Sequence, residues 1–113
     1  MHELALAQGV VEIVTDHATR QGFTRARVVH LNIGALSSVM PEALAMGFEV
    51  AAQGTAAEGA RLEFHRTPGQ AWCSDCSRRG EVESRLDLCP ACGGANLLVT
   101  GGDEMRVLEL EVD

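Results

Sequence analysis

Two Cys-x-x-Cys pairs carry the most specific chemistry in this sequence. Cys73 and Cys76 form the first pair, Cys89 and Cys92 form the second, and the twelve residues between the pairs contain no further cysteine. Four sulfur ligands at this spacing are the donor set of a tetrahedral structural zinc site, and Pro90 supplies turn chemistry inside the second pair. The sequence therefore predicts zinc bound by these four side chains.

Other uses of the four cysteines are weaker hypotheses. A disulfide framework is disfavoured, because a secreted chain of this length normally shows a signal peptide and a different cysteine layout. Redox chemistry is disfavoured because two matched pairs imply one shared ion. Iron in a rubredoxin-like site uses the same ligands, so the sequence leaves the choice between zinc and iron open. Four thiolates close the coordination sphere, which predicts a structural and not a catalytic metal.

The first three residues form a second candidate metal site. The free amine of Met1, the imidazole of His2 and the amide nitrogen between them can chelate one ion, and the amide of Glu3 can add a fourth nitrogen. This donor set suits the tetragonal or square-planar geometry of Ni(II) or Cu(II). The first N–H groups of a helix have no intrahelical acceptor, so metallating one breaks no helical hydrogen bond. The alternative is a disordered N-terminus with a solvated His2.

Composition narrows the classes of function. The chain has 113 residues, with sixteen acidic side chains against nine basic ones and a formal charge of −7. This balance argues against nucleic-acid or anionic-membrane binding as the main function. No phosphate loop, nucleophile elbow or His-Glu-x-x-His motif is present, so we expect no enzymatic activity. Reduced cysteines, no export signal and no transmembrane run predict a cytoplasmic protein.

Hydrophobic periodicity predicts two helices and three strands outside the cysteine module. The predicted order is a helix over 4–20, a strand over 25–33, a helix beginning at Pro41, a strand over 61–66, the module over 70–101, and a strand over 103–112. Gly22 is predicted to end the first helix, and Ser37 and Ser38 are candidate caps of the second.

These elements predict an α+β fold, with two helices on a three-stranded mixed sheet and an inserted four-cysteine zinc-ribbon module. The first two strands should be parallel by the crossover rule. The two strands that flank the module should lie side by side and antiparallel, because a compact insertion brings its ends together. The predicted domains are a nickel-binding lobe formed by 1–69 plus 102–113 and a zinc-binding module formed by 70–101.

Four motifs, taken in order, resemble the HypA/HybF family of nickel-insertion accessory proteins of [NiFe]-hydrogenase maturation. They are Met1-His2-Glu3-Leu4, Leu31-Asn32-Ile33-Gly34, Pro41-Glu42-Ala43-Leu44 with Phe48-Glu49, and the double Cys-x-x-Cys. The resemblance runs through the whole chain. The start Met-His-Glu together with a late four-cysteine module is more specific than either feature alone.

This resemblance implies a nickel metallochaperone with transferable Ni(II) and a structural zinc. It assigns Met1, His2 and Glu3 to nickel, and it assigns the four cysteines to zinc. It also implies that the GTPase HypB and the large subunit of [NiFe]-hydrogenase are partners, and a homodimer is compatible with it. The competing hypothesis is a zinc-ribbon adaptor protein that carries no transferable metal.

Overall fold

The computed structural model describes residues 2–113, in which the chain forms two helices and six strands. In chain order these are α1 (His2–Gln21), β1 (Ala26–Gly34), α2 (Pro41–Ala51), β2 (Arg61–Thr67), β3 (Gly69–Cys73), β4 (Arg78–Val82), β5 (Leu97–Gly101) and β6 (Met105–Val112). The predicted α+β class is confirmed. Strands β3, β4 and β5 arise within the predicted module. No helix among the described residues is long and apolar enough to cross a membrane.

Helix α1 is amphipathic because its apolar residues recur every three or four positions. The buried ones are Ala7, Val10, Val11 and Val14. The helix ends as predicted at Gly22, which has a φ of 78° and whose N–H donates to the carbonyl of Ala18 at 2.9 Å. Glycine adopts this left-handed conformation without a Cβ clash, which makes it a favourable helix C-cap.

Helix α2 packs against α1 through a close approach at Gly47. A Cβ atom at Gly47 would lie 3.4 Å from the Cβ of Ala7 and 3.5 Å from the Cα of Leu4, so alanine would fill this contact and a larger side chain would push the helices apart. Leu44 and Phe48 are the buried residues of α2. The packed pair of helices therefore depends on a small residue at their contact.

The predicted serine caps of α2 are wrong. The N-cap residue is Met40, with Pro41 in the first helical turn and no side-chain capping bond from the N-cap residue. The carboxylate of Glu3 accepts a hydrogen bond from the N–H of Met40 at 3.3 Å. A side chain from α1 therefore takes part in fixing the start of α2.

The first sheet has the strand order β2-β1-β6. The end of β1 is linked to the end of β2 by the bond from Ala35 N–H to the Thr67 carbonyl, and the start of β1 is linked to the segment before β2 by the bond from Ala26 N–H to the Ala56 carbonyl. These two strands are parallel, as predicted. At β6 the polarity reverses, since Gly34 N–H donates to the carbonyl of Glu104 at 2.9 Å, and Asp113, at the opposite end of β6, donates to Arg25 just before β1. The sheet is therefore mixed.

The strands that flank the cysteine module are not neighbours, contrary to the prediction. Strand β1 lies between β2 and β6. Eight of its nine residues are buried or half-buried, which is typical of a central strand. Asn32 is a buried polar residue of β1, and its side-chain amide donates to the hydroxyl of Thr67 at 3.1 Å. The central position is therefore occupied by the most completely buried of the three strands.

The chain divides into two compact units. Within the described residues, the first comprises 2–31, 39–64 and 107–113, and the second comprises 32–38 and 65–106. The first unit contains both helices. The second contains the cysteines and a sheet with the order β4-β3-β5. The domain limits expected from the sequence, 1–69 plus 102–113 and 70–101, stay a prediction.

The second sheet is antiparallel throughout, with Ala71 opposite Gly80 on β4 and opposite Val99 on β5. Its core is a small apolar cluster formed by Leu36, Ala71 and Val82, against which Leu97 and Val99 pack. A cluster of this size contributes little hydrophobic free energy compared with the core of a typical domain. The stability of this unit must therefore have a second source.

Backbone segments meet closely at Gly34 in the second unit. A Cβ atom at Gly34 would overlap the carbonyl group of Gly102, whereas a Cβ atom at Gly9, on α1, would have no heavy atom within 4 Å. The two glycines therefore differ in what a side chain would meet.

We expect Gly34→Ala to lower the free energy of unfolding by about 1–3 kcal/mol or more, because the backbone of Gly102 must move to admit a methyl group. The matched change Gly9→Ala should raise it by about 0.5–1 kcal/mol, because alanine is the better helix former. Urea unfolding of the metal-loaded proteins measures both values. Equal effects of the two changes would contradict the close approach at Gly34.

Candidate metal centre

The four cysteines converge although they belong to two separate parts of the chain. Cys73 ends strand β3 and Cys76 lies in the turn that leads to β4, while Cys89 and Cys92 lie in the loop between β4 and β5. All four Sγ atoms lie within 4.8 Å of one another. Among residues 2–113 they form the one set of three or more His, Cys, Asp or Glu side chains placed to share an ion.

The sulfur positions fit a tetrahedral metal centre. The Sγ atoms of Cys73 and Cys92 are 3.7 Å apart, as are those of Cys76 and Cys89. Thiolates bound at about 2.3 Å to a tetrahedral zinc lie about 3.8 Å from one another. A disulfide needs an S–S distance of about 2.05 Å. The cysteines are therefore free thiols placed as metal ligands, and the disulfide alternative is wrong.

Both Cys-x-x-Cys segments use the same backbone turn. The N–H of Ser77 donates to the carbonyl of Cys73 at 2.8 Å, and the N–H of Gly93 donates to the carbonyl of Cys89 at the same distance. Ser77 has a φ of 55° and Gly93 has a φ of 74°, so each turn closes on a residue in the left-handed region. This conformation favours glycine, and Ser77 is the only non-glycine residue of the described chain that adopts a positive φ.

Backbone N–H groups point at the sulfur atoms and separate their pKa values. Hydrogen bonds from the N–H groups of Cys92 and Ala91 lower the pKa of the Cys89 thiol to about 6. Burial, together with hydrogen bonds to the other three thiols, raises the pKa of Cys76 to about 12. In this arrangement a thiolate is therefore stabilised best at Cys89, by the N–H dipoles that point at its sulfur atom.

A pair of polar side chains joins the first turn to the segment that follows the second turn. The side-chain amide of Asn96 donates to the carboxylate of Asp75 at 3.0 Å, and the backbone carbonyl of Asn96 accepts the N–H of Ser74 at 3.0 Å. Sequence reasoning missed this link because the two side chains are 21 residues apart. The available signal was an aspartate inside the first Cys-x-x-Cys and an asparagine soon after the second.

Two of the three predicted nickel residues, His2 and Glu3, lie at the start of α1. The third, Met1, lies outside the described residues. The imidazole Nδ1 of His2 is 3.4 Å from the carboxylate of Glu3, and about half of the His2 side chain is exposed. Desolvation opposes ionisation of Glu3, but the N–H groups of Glu3 and Met40 and the charge of His2 outweigh it and lower the pKa of this carboxyl. An ionised carboxylate therefore lies beside the exposed imidazole.

Comparison with known proteins identifies the family. The model of the family described as "Hydrogenase/urease nickel incorporation, metallochaperone, hypA" matches residues 1–112. The chain belongs to the HypA family.

Relatives and solved structures agree with this assignment. Hydrogenase maturation factor HypA 2 of Bradyrhizobium diazoefficiens is 54% identical over 113 residues, and hydrogenase maturation factor HypA of Alkalilimnicola ehrlichii is 47% identical; both alignments cover all of each chain. A solution structure of a HypA protein matches with a TM-score of 0.72 and 26% identity over 99% of this chain and 96% of that one. The solution structure of the Ni metallochaperone HypA from Helicobacter pylori shares the fold, with a TM-score of 0.70 and 23% identity over 97% and 96% of the two chains.

Proposed function

We propose that this chain is a nickel carrier for hydrogenase maturation, with Ni(II) bound at its N-terminus and a structural zinc held by the four cysteines. The observation that carries the proposal is the match of the metallochaperone family model to residues 1–112. As a carrier, the protein is not itself an enzyme. Its working partners in this proposal are the GTPase HypB and the large subunit of [NiFe]-hydrogenase, and it acts in the cytoplasm.

The proposed nickel ligands are the amine of Met1, the imidazole and amide of His2, and the amide of Glu3. Helix α1 begins at His2, so the N–H groups of its first turn have no acceptor within the helix. The carboxylate of Glu3 adds negative charge beside the imidazole, which favours a dication. Exposure of His2 supports exchange, because a carrier must release the ion that it binds.

For the four cysteines we propose a permanently bound zinc and not a transferable ion. Four thiolates complete a tetrahedral coordination sphere and leave no position for water or an incoming ligand. Cys73 and Cys89 are 1% and 6% exposed, so half of the donor set is withdrawn from solvent. The chemistry of a bound zinc here is to neutralise the thiolates and to hold the two turns together.

Nickel titration of the zinc-loaded protein tests the carrier proposal. We expect one nickel per chain in the wild type, and we expect His2→Ala to weaken binding by at least about tenfold, the lower range for loss of an important metal-site interaction. A form with residues added before Met1 should lose binding similarly, because it has no free amine at that position. His17→Ala is the control. Unchanged affinity and an unchanged nickel spectrum in both altered proteins would contradict the assignment, and absence of nickel binding in the wild type would favour the zinc-ribbon adaptor.

Removal of one cysteine tests the zinc proposal. Cys73→Ala should abolish stoichiometric zinc and the ordered state of residues 65–106, because zinc contributes on the order of 10 kcal/mol in small modules. The two helices should persist, since α1 and α2 pack through their own apolar residues. Metal analysis and amide hydrogen exchange measure the two effects, with Ser74→Ala as the control. A Cys73→Ala protein that keeps zinc and its exchange protection would contradict the four-cysteine assignment.

A further inference from the structure

Strand β2 lies at an edge of the first sheet. It pairs with β1 on one side, and no strand of the described chain lies on its other side. Its residues are half-buried or exposed, in contrast to the buried residues of β1. Alternate residues of such an edge strand direct their N–H and C=O groups away from the sheet, where an additional extended segment can pair with them.

A cavity opens beside this edge, between α2 and the first part of β2. Its volume is about 380 Å³, which is large enough for a bulky apolar side chain and part of its backbone. Phe48 of α2 and Leu62 and Phe64 of β2 supply its large apolar walls. Leu62 and Phe64 are two residues apart and so lie on the same face of the strand. The cavity and the free strand edge are therefore adjacent.

Small residues keep the cavity open. Ala45 lines it from α2, Ala52 from the C-cap of that helix, and Gly59 and Ala60 from the turn before β2. Gly59 has a φ of 79°, which a larger L residue would adopt only with strain. The volume is thus a property of the backbone path and of short side chains, and it does not require a side chain to move aside.

The charges at the cavity favour a basic ligand. Glu49 lines it from α2 and forms no ion pair among the described residues. Arg61 lines the opposite side, and its guanidinium is 3.4 Å from the carboxylate of Glu63, so its charge is already partnered. The uncompensated charge is therefore negative. A second copy of this chain is a poor occupant, because each copy carries a formal charge of −7 and the copies repel.

We propose that this groove binds an extended segment of a partner protein by strand addition to β2. The segment places a bulky apolar side chain in the cavity and, two residues away on the same face, a lysine or arginine side chain against Glu49. Main-chain hydrogen bonds along the strand edge supply affinity, and the cavity and Glu49 select the sequence. The groove contains none of the proposed metal ligands, so the test of peptide binding does not depend on whether the chain binds nickel.

The probe is a short capped peptide of β-forming residues with one leucine and, two residues later, one arginine. Titrated into the zinc-loaded protein labelled with ¹⁵N, it should produce saturable amide shifts in α2 and in residues 59–64. A matched peptide N-methylated at alternate amides cannot complete the strand pairing and should bind at least about tenfold more weakly, as expected when several hydrogen bonds are lost. This comparison leaves the protein unchanged, so it does not depend on the folding of any variant.

Protein variants test the selection of sequence. Ala45→Leu fills the cavity and should weaken binding about tenfold or more, since burial of one large apolar side chain contributes at least that much. Glu49→Lys should weaken binding of the arginine peptide about fivefold and improve binding of a glutamate peptide. Glu42→Lys makes the same charge change on α2 away from the cavity lining and should have a smaller effect. Far-ultraviolet circular dichroism confirms that each variant is folded.

Three outcomes of the peptide titrations would overturn the proposal. They are shifts that map outside α2 and residues 59–64, equal binding of the N-methylated peptide, and equal binding by Glu49→Lys and Glu42→Lys. Self-association of the wild type that Ala45→Leu removes would also overturn it, since the occupant would then be a second copy.

Discussion

The convergence of four thiols is the constraint on which the second unit depends. Its apolar cluster is built on Leu36, Ala71 and Val82, too few residues to order the long loops around it. Metal binding requires all four cysteines as thiolates, and four negative sulfur atoms within 4.8 Å of one another repel strongly unless a cation lies between them. A bound dication converts that repulsion into the main attraction between the two turns. The unit therefore replaces most of a hydrophobic core with one coordination sphere.

Local signals in the sequence were sufficient for much of this architecture. The spacing of the cysteines predicts their convergence because a Cys-x-x-Cys turn needs only its own backbone to aim two sulfur atoms at one point. Gly22 ends α1 because the left-handed conformation and its hydrogen bond to Ala18 are decided within a single turn. The parallel pairing of β1 and β2 follows from the helix between them, because a connection of this length carries the chain back to the edge of the sheet where β1 began.

Features decided by distant residues could not be predicted in this way. The position of β1 between β2 and β6 depends on which strand is most completely buried, and that is settled by the whole fold. The serine caps failed because α2 begins at Pro41, which leaves Met40 at the N-cap, and the N–H of Met40 is bonded instead to Glu3, 37 residues earlier. The link between Asp75 and Asn96 and the cavity beside β2 have the same origin. In each case the deciding contact joins residues that no local pattern connects.

The two Cys-x-x-Cys turns are alike in backbone but unlike in what solvent can reach. Each contributes one buried cysteine, Cys73 or Cys89, and one less buried cysteine, Cys76 or Cys92, of which Cys92 is exposed. The centre thus has a sheltered side and an open side. A competing chelator can first reach the metal on the side of Cys92, while the buried sulfur atoms remain bound. We therefore expect the metal to be lost slowly and in steps, even to a chelator that binds it more tightly than the protein does. If the N-terminus carries an exchangeable ion as proposed, slow loss of metal from the cysteines keeps the structural ion in place while the other ion exchanges.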